Sequence, residues 1–238
     1  VRKLVAELEQ KYDANIYLTG VVMLSNSFFE ASMQDMATLI PLMYAVIILV
    51  TFLLVRSKSA TVSTVIVIFF SMMAAMGAAG YLGIQLTPPS SSATTIIMTL
   101  AVADSIHILV SLFAAMRQGK SRQEAIKESL RVNFGPVALT SVTTAIGFLS
   151  MNFSDSPPFH DLGNITAIGV LFAWLFSVTL LPALMAVFPA KARAANGKFE
   201  QHMERFADLV IAKRKAFLWG TIAVSIALLS FIPKNQLD

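Results

Sequence analysis

Six long apolar segments constrain the fold of this chain more than any other feature of its sequence. Each has the roughly 18–25 residues that a helix needs to cross a bilayer. The 238 residues are 56% hydrophobic and only 13% charged, whereas a soluble domain has about 25% charged residues. The sequence therefore predicts an all-α, polytopic membrane protein. The expected spans are about Ala37–Val55, Val62–Leu82, Ala93–Met116, Phe134–Phe153, Leu162–Phe188 and Ala216–Pro233.

Basic residues are concentrated in the loops on one side of these spans. Fourteen of the 18 Lys and Arg residues lie in the segments 56–61, 117–133 and 189–215. The positive-inside rule places these loops in the cytoplasm and both ends of the chain on the opposite side. The net charge of +4 therefore reflects the topology of the chain in the membrane. The expected partners of the basic loops are membrane lipids, and a nucleic-acid role is excluded.

The segments outside the spans predict two further structural units, an extramembrane segment and a linker helix. Residues 1–36 suggest a helix, a short β-strand over NIYLTGVV, and a second helix starting near Ser25–Asn26. We expect them to be the C-terminal remnant of an extramembrane α+β domain, because they are too short to fold alone. Residues 189–215 predict an amphipathic cytoplasmic linker helix. We therefore expect the chain to be a fragment of a longer polypeptide.

The loop 117–133 connects the third and fourth spans. Ala125, Ile126, Ser129 and Leu130 form a weakly apolar stripe among charged residues, which predicts a short helix on the inner membrane surface. Pro136 then falls in the first turn of the fourth span, where its missing N–H costs nothing.

Asp104 is the one acidic residue inside any of the apolar segments, and it is the twelfth of 24 residues in Ala93–Met116. A carboxylate at mid-bilayer costs about 2.5–3.5 kcal/mol on insertion scales. His107 follows three residues later, and this spacing predicts that both side chains project from the same side of a helix. The pair indicates proton handling. The alternatives are a structural hydrogen bond from Asp104 and an interior His107 without a function.

The fourth span contains a cluster of hydroxyl side chains in PVALTSVTTAIGFL. Thr140, Thr143, Thr144 and Gly147 share one helical face, which predicts that this face packs on the third span and hydrogen-bonds Asp104. Ordinary packing of small residues explains the same pattern equally well. The spacing of small residues in MAAMGAAGYLG, in the second span, indicates close helix packing.

Several chemistries are excluded by the sequence. There is no G-x-x-x-x-G-K-[ST] phosphate loop and no H-E-x-x-H zinc motif. An intramembrane aspartyl protease would need two carboxylates in the membrane, and only Asp104 is present. We therefore expect neither an enzyme nor a cofactor or metal.

Three segments together resemble the resistance-nodulation-division (RND) superfamily, and most closely its MMPL-type exporters. They are LAVADSIHILVSLF, ALTSVTTAIGFLSMNF and ITAIGVLFAWLFSVTLLPALM. The resemblance covers the whole chain and extends to sterol-sensing domains. It implies that 1–36 ends a periplasmic porter domain, that 37–188 is a five-helix RND-type bundle, and that 216–238 opens a second half.

The resemblance also implies export driven by the proton gradient across a bacterial inner membrane, with both ends of this chain periplasmic. Asp104 would relay protons, with His107 as a second polar group and Ser105, Thr140, Thr143 and Thr144 as supporting contacts. Leu100 and Ser105 replace the glycine and the Tyr or Asp of the usual motif. Implied partners are a hydrophobic or amphiphilic cargo, the second half of the polypeptide, and a homo-oligomer or periplasmic protein.

Two other functions fit the same sequence. One is a lipid- or sterol-binding sensor without a transport cycle, and the other is an accessory to Sec-type protein translocation.

Overall fold

The computed structural model describes residues 2–12, 15–188 and 197–231, and every regular element in these ranges is helical. The chain divides into two compact units, Val1–Arg193 and Ala194–Asp238. The all-α class is therefore confirmed. The first unit contains α1 (Arg2–Tyr12), α2 (Val21–Val55), α3 (Lys58–Tyr81), α4 (Ala93–Arg117), α5 (Arg122–Leu149), α6 (Pro157–Val178) and α7 (Leu180–Val187), and the second contains α8 (Gly197–Ala212) and α9 (Arg214–Leu229).

Five helical segments of the described chain are long and apolar enough to cross a membrane, so the protein is a multi-pass membrane protein. They correspond to the first five predicted spans. The sixth is represented by α9, whose 16 residues extend about 24 Å, less than the roughly 30 Å of a hydrocarbon layer. Residues 232–238 lie outside the described residues, so a sixth crossing stays a prediction. The five segments are Val21–Val55, Lys58–Tyr81, Ser90–Arg117, Arg122–Phe153 and Pro157–Val187.

Helix α4 is the central helix of the first unit. It packs against α3, α5 and α6, and α2 contacts both α3 and α4. Towards the basic loops, Leu109 and Leu112 are buried in one cluster with Leu181. Towards the other end, Ile97 is buried with Ile165 of α6. A side chain on the inward face of α4, near its middle, is therefore enclosed by protein on several sides.

Helix α6 approaches its neighbours closely at two glycines. A Cβ atom at Gly169 would overlap the side chain of Ile97 on α4, and one at Gly163 would overlap the carbonyl oxygen of Phe148 on α5. Small residues allow such close approach of helices in a membrane. In α3, Ala75 is buried as the sequence predicted.

The predicted surface helix between the third and fourth spans is not a separate element. Helix α5 begins at Arg122, capped by Ser121, and continues through Pro136 to Leu149. The ring of Pro136 removes a single backbone donor, and a membrane helix tolerates this when other groups satisfy the backbone. The prediction that Pro136 opens the fourth span is therefore wrong.

The predicted β-strand is also wrong. Residues 15–20 belong to no strand, and α2 begins at Val21, earlier than the predicted start at Ser25–Asn26. A lone extended segment has no neighbour for its backbone groups, and Gly20, with φ 110°, adopts a conformation that favours glycine. The N–H of Ile16 instead donates to Glu9 Oε1 of α1 at 3.0 Å.

Candidate functional site

Asp104 lies in the interior of the first unit. It is only 6% exposed, and Ala101 and Ile108, one turn to either side on the same face of α4, are also buried. This face turns inward because apolar and small residues recur along it at helical spacing. The carboxyl group is thus held among packed helices.

The hydrogen-bond partner of Asp104 is Ser141 on α5. The Ser141 hydroxyl donates to Asp104 Oδ2 at 3.4 Å, which is longer than the 2.7–2.8 Å of a strong O–H···O bond. Ser141 is buried together with Val137 and Ala145, four residues before and after it. These three residues form the inward face of α5, so one weak contact links the carboxyl group to the neighbouring helix.

Within the described residues, none of the threonines predicted to hydrogen-bond Asp104 does so. Thr140 and Thr143 are exposed, and their hydroxyls donate to carbonyl oxygens of their own helix, Pro136 O at 3.1 Å and Leu139 O at 2.8 Å respectively. Thr144 is half-buried. The inward face of α5 is rotated from the predicted face by about 100°, which is the rotation of one residue. The four-residue spacing of Val137, Ser141 and Ala145 is the sequence pattern that identifies the inward face of α5.

His107 does not accompany Asp104 into the interior. It is exposed on the surface of α4 within the first unit. Three residues turn a helix by about 300°, which leaves a difference of about 60° between the two side chains. The two side chains therefore project from the same side of α4, but Asp104 is buried against α5 and His107 is exposed, so their surroundings differ.

Buried hydroxyl groups occur on three helices of the first unit, α3, α4 and α6. Ser105 is fully buried, and its hydroxyl has no hydrogen-bond partner among the described residues. The same holds for Ser63 on α3 and for Thr166 and Ser177 on α6. Buried polar groups are normally hydrogen-bonded. The interior of the unit therefore carries unused hydrogen-bonding capacity on three adjacent helices.

No positive charge compensates Asp104 within the part of the chain that the structure describes. Its recorded polar contact is the one with Ser141, whereas ion pairs join Glu128 to Lys120 and Arg131 near the α4–α5 loop. Over the same residues, no three His, Cys, Asp or Glu side chains are grouped to hold a metal ion. A carboxyl group can take up and release a proton, and burial changes the balance between its two forms.

The sequence matches the MMPL family over residues 1–228. The chain belongs to the MMPL family. This confirms the resemblance to MMPL-type exporters of the RND superfamily that the membrane segments suggested.

Curated relatives support this membership. The hopanoid transporter HpnN of Burkholderia multivorans is 26% identical over 98% of this chain, which corresponds to 26% of that protein. HpnN of Rhodopseudomonas palustris is 26% identical over 93% of the chain and 25% of that protein. A membrane protein of Methanocaldococcus jannaschii is 26% identical over 79% of the chain and 42% of its own length. The chain thus spans less than half the length of these relatives.

Proposed function

We propose that this MMPL-family chain forms part of the membrane domain of a secondary transporter, which uses the proton gradient to export hydrophobic or amphiphilic lipids. The observation that carries the proposal is Asp104, a carboxyl group buried at mid-helix without a cationic partner in the described chain. Acidic groups inside membrane helices are rare and mark proton or ion pathways. The names of the two HpnN relatives support a lipid-like cargo.

In the proposed cycle, Asp104 takes up a proton from the outer side and becomes neutral. Neutralisation removes the penalty for burying its charge, about 2.5–3.5 kcal/mol on insertion scales, and changes its interaction with Ser141. The helices then rearrange, and release of the proton to the cytoplasm resets the site. One charge crossing 100 mV supplies about 2.3 kcal/mol, which is enough to shift a two-state equilibrium substantially.

The other predicted relay residues take different places in this proposal. Ser105, fully buried beside Asp104, supplies a hydroxyl on the same helix. His107 is the second polar group of the proposed relay. It is exposed on the side of α4 that faces out of the bundle, where a further part of the polypeptide would cover it. Thr140, Thr143 and Thr144 have no direct role in the relay. The second half of the polypeptide, an oligomeric partner and a periplasmic partner remain proposed partners.

The basic loops support an orientation with the α2–α3 and α4–α5 connections in the cytoplasm. The α3–α4 connection and residues 1–36 would then be periplasmic in a bacterial inner membrane. In this arrangement 37–188 is the helical bundle, 189–215 is a cytoplasmic linker, and 216–238 opens the second half. The proposed reaction moves a lipid and a proton and makes no covalent bond, so the protein acts without enzymatic catalysis.

The driving force is tested with the intact protein reconstituted in liposomes made from a cellular lipid extract. An imposed pH gradient should accelerate transfer of lipid to an external acceptor, measured by mass spectrometry. A protonophore should reduce the rate to that of protein-free liposomes. Equal transfer with and without the gradient would contradict proton coupling.

Lipid binding with no transfer under either condition would favour a lipid sensor. A secretion defect in cells without any lipid change would favour a Sec-type accessory.

A further inference from the structure

A cavity of about 400 Å³ lies beside the α3–α4 connection, at the end of the first unit opposite the basic α4–α5 loop. It is lined by the N-terminal part of α2, which forms the α2 wall, by Met76 of α3, and by residues between 86 and 94. Its volume falls within the roughly 300–1,000 Å³ of small-molecule sites. We propose that this cavity binds one uncharged lipid that carries a hydroxyl head group.

The α2 wall is a single uncharged stripe. Ser25, Phe29, Ser32 and Met33 line the cavity, and their spacing places them on one face of the helix. Charged residues occur in the same stretch at Glu30 and Asp35, outside the lining. A charged head group would find no partner of opposite charge in this lining to compensate for any water it loses. The lining therefore selects against ionised lipids.

The cavity combines a broad apolar surface with hydroxyl groups. Phe29 and Leu86 line the cavity and are 62% and 69% exposed, so much of their apolar surface is accessible. Ser91 in the α3–α4 connection and Thr94 at the start of α4 add hydroxyl side chains to the lining. Sites of this kind bury an apolar body and orient it by a few polar groups. A molecule with an apolar body and a hydroxyl head matches both features.

The position of the cavity fits an occupant that comes from the membrane. The 35 residues of α2 extend about 52 Å, well beyond a hydrocarbon layer of roughly 30 Å. The part beyond the layer contains Asn26, Glu30 and Gln34, which suit the head-group region. The cavity is therefore at the level of the lipid head groups. An apolar tail that extends from it reaches the hydrocarbon layer.

This inference rests on the proposed function, because it names the chemical class of the cargo and the site where the cargo enters. It deepens that function without depending on the proton relay. Binding to the cavity requires no gradient, whereas transport requires both a gradient and Asp104. The two claims therefore fail in different experiments.

The test uses the intact protein in detergent, without a gradient, and a long-chain fatty alcohol that carries a photoreactive diazirine and an alkyne tag. We expect the probe to label peptides within residues 25–33 or 86–94. The matching fatty acid probe, ionised at neutral pH, should label these peptides roughly tenfold less, a difference of about 1.4 kcal/mol. Equal labelling by both probes, or labelling spread evenly over the membrane helices, would overturn the proposal.

Two pairs of variants locate the site. Ser91→Phe places a large side chain in the cavity, and Ser92→Phe is its matched control, since Ser92 is exposed and lies outside the lining. Met33→Trp narrows the α2 wall, with Gln34→Trp as its control. We expect labelling by the alcohol to fall in the first member of each pair only. If both cavity variants are labelled like their controls, the cavity is not the binding site.

The proton relay is separated from the cavity by Asp104→Asn. This variant should retain labelling by the alcohol, because Asp104 lies outside the lining. Loss of labelling in Asp104→Asn, with the protein still folded, would contradict an independent binding site. Retained labelling together with retained gradient-driven transport would leave the cavity supported and the relay refuted.

Discussion

Among the residues of this MMPL-family chain, Asp104 and Ser141 form the contact with the clearest functional meaning. The hydroxyl of Ser141 is the recorded polar partner of the buried carboxyl group, and it donates from a neighbouring helix at 3.4 Å. A donor in this position favours the ionised carboxylate over the neutral acid. We therefore propose that Ser141 influences how readily Asp104 accepts a proton.

We predict that Ser141→Ala slows gradient-driven transport several-fold and changes its pH dependence. Loss of the donor disfavours ionised Asp104, so protonation should persist to higher pH and the pH profile should move upward. The measurement is the transport rate in liposomes as a function of pH. Thr143→Ala is the matched control, because Thr143 is exposed and bonds its own helix. A profile that moves equally in both variants would contradict a role for Ser141.

The sequence predicted Asp104 as the main candidate because one acidic residue in an apolar segment is conspicuous without any structure. Its partner was not predictable to the same degree. The run of hydroxyls in this region favours Thr140 and Thr143 as partners, but the helical phase decides which hydroxyl turns inward. Ser141 faces inward because Val137 and Ala145 share its face, and this depends on packing with α4 and α6.

Among the elements, α6 determines how closely the helices approach one another. Gly163 and Gly169 leave no room for a further carbon atom, whereas Gly77 and Gly80 of α3 have open space around the position of a Cβ atom. The sequence pattern predicted close packing for α3, where Ala75 and Ala79 are indeed buried. The contribution of α6 was missed, because an isolated glycine in a helix does not identify its neighbour.

We predict that Gly163→Ala destabilises the bundle by about 1–3 kcal/mol, the usual cost of overpacking. The added carbon would meet the backbone oxygen of Phe148, which cannot move without shifting α5. Gly147→Ala is the control, because its surroundings are open and alanine favours a helix by roughly 0.5–1 kcal/mol. The measurement is the midpoint temperature of unfolding in detergent. A lower midpoint for Gly147→Ala than for Gly163→Ala would contradict the packing described here.

The ends of elements were predicted less well than their existence. The third span was predicted as Ala93–Met116, and α4 runs from Ala93 to Arg117. By contrast, α5 joins the predicted surface helix to the fourth span. Local charge suggested a break there, but the continuous backbone hydrogen bonds of a helix outweigh the preference of a short charged segment for the membrane surface.

For the whole molecule, the topology follows from the placement of basic residues. The structure supports five membrane segments, and chain order then places the α4–α5 loop and the α3–α4 connection at opposite ends of the first unit. Which end faces the cytoplasm is predicted by the positive-inside rule. The absence of cysteine from this sequence makes the orientation directly measurable.

We predict that Gln85→Cys and Asp155→Cys react with a membrane-impermeant maleimide in intact cells. Gln118→Cys should react only after the cells are permeabilised. All three positions are exposed in the structure, so differences in labelling report the side of the membrane, provided that the intact protein carries no other cysteine. Labelling of Gln118→Cys alone in intact cells would show that the orientation is inverted.

The measurement that tests the central claim most directly is gradient-driven lipid transport by Asp104→Asn in the intact protein. Asparagine has nearly the same size as aspartate but cannot carry a proton at this position. We predict that Asp104→Asn inserts at normal abundance and transfers lipid no faster under a pH gradient than without one. A variant that still responds to the gradient like the unaltered protein would contradict the proposal that Asp104 couples proton movement to transport.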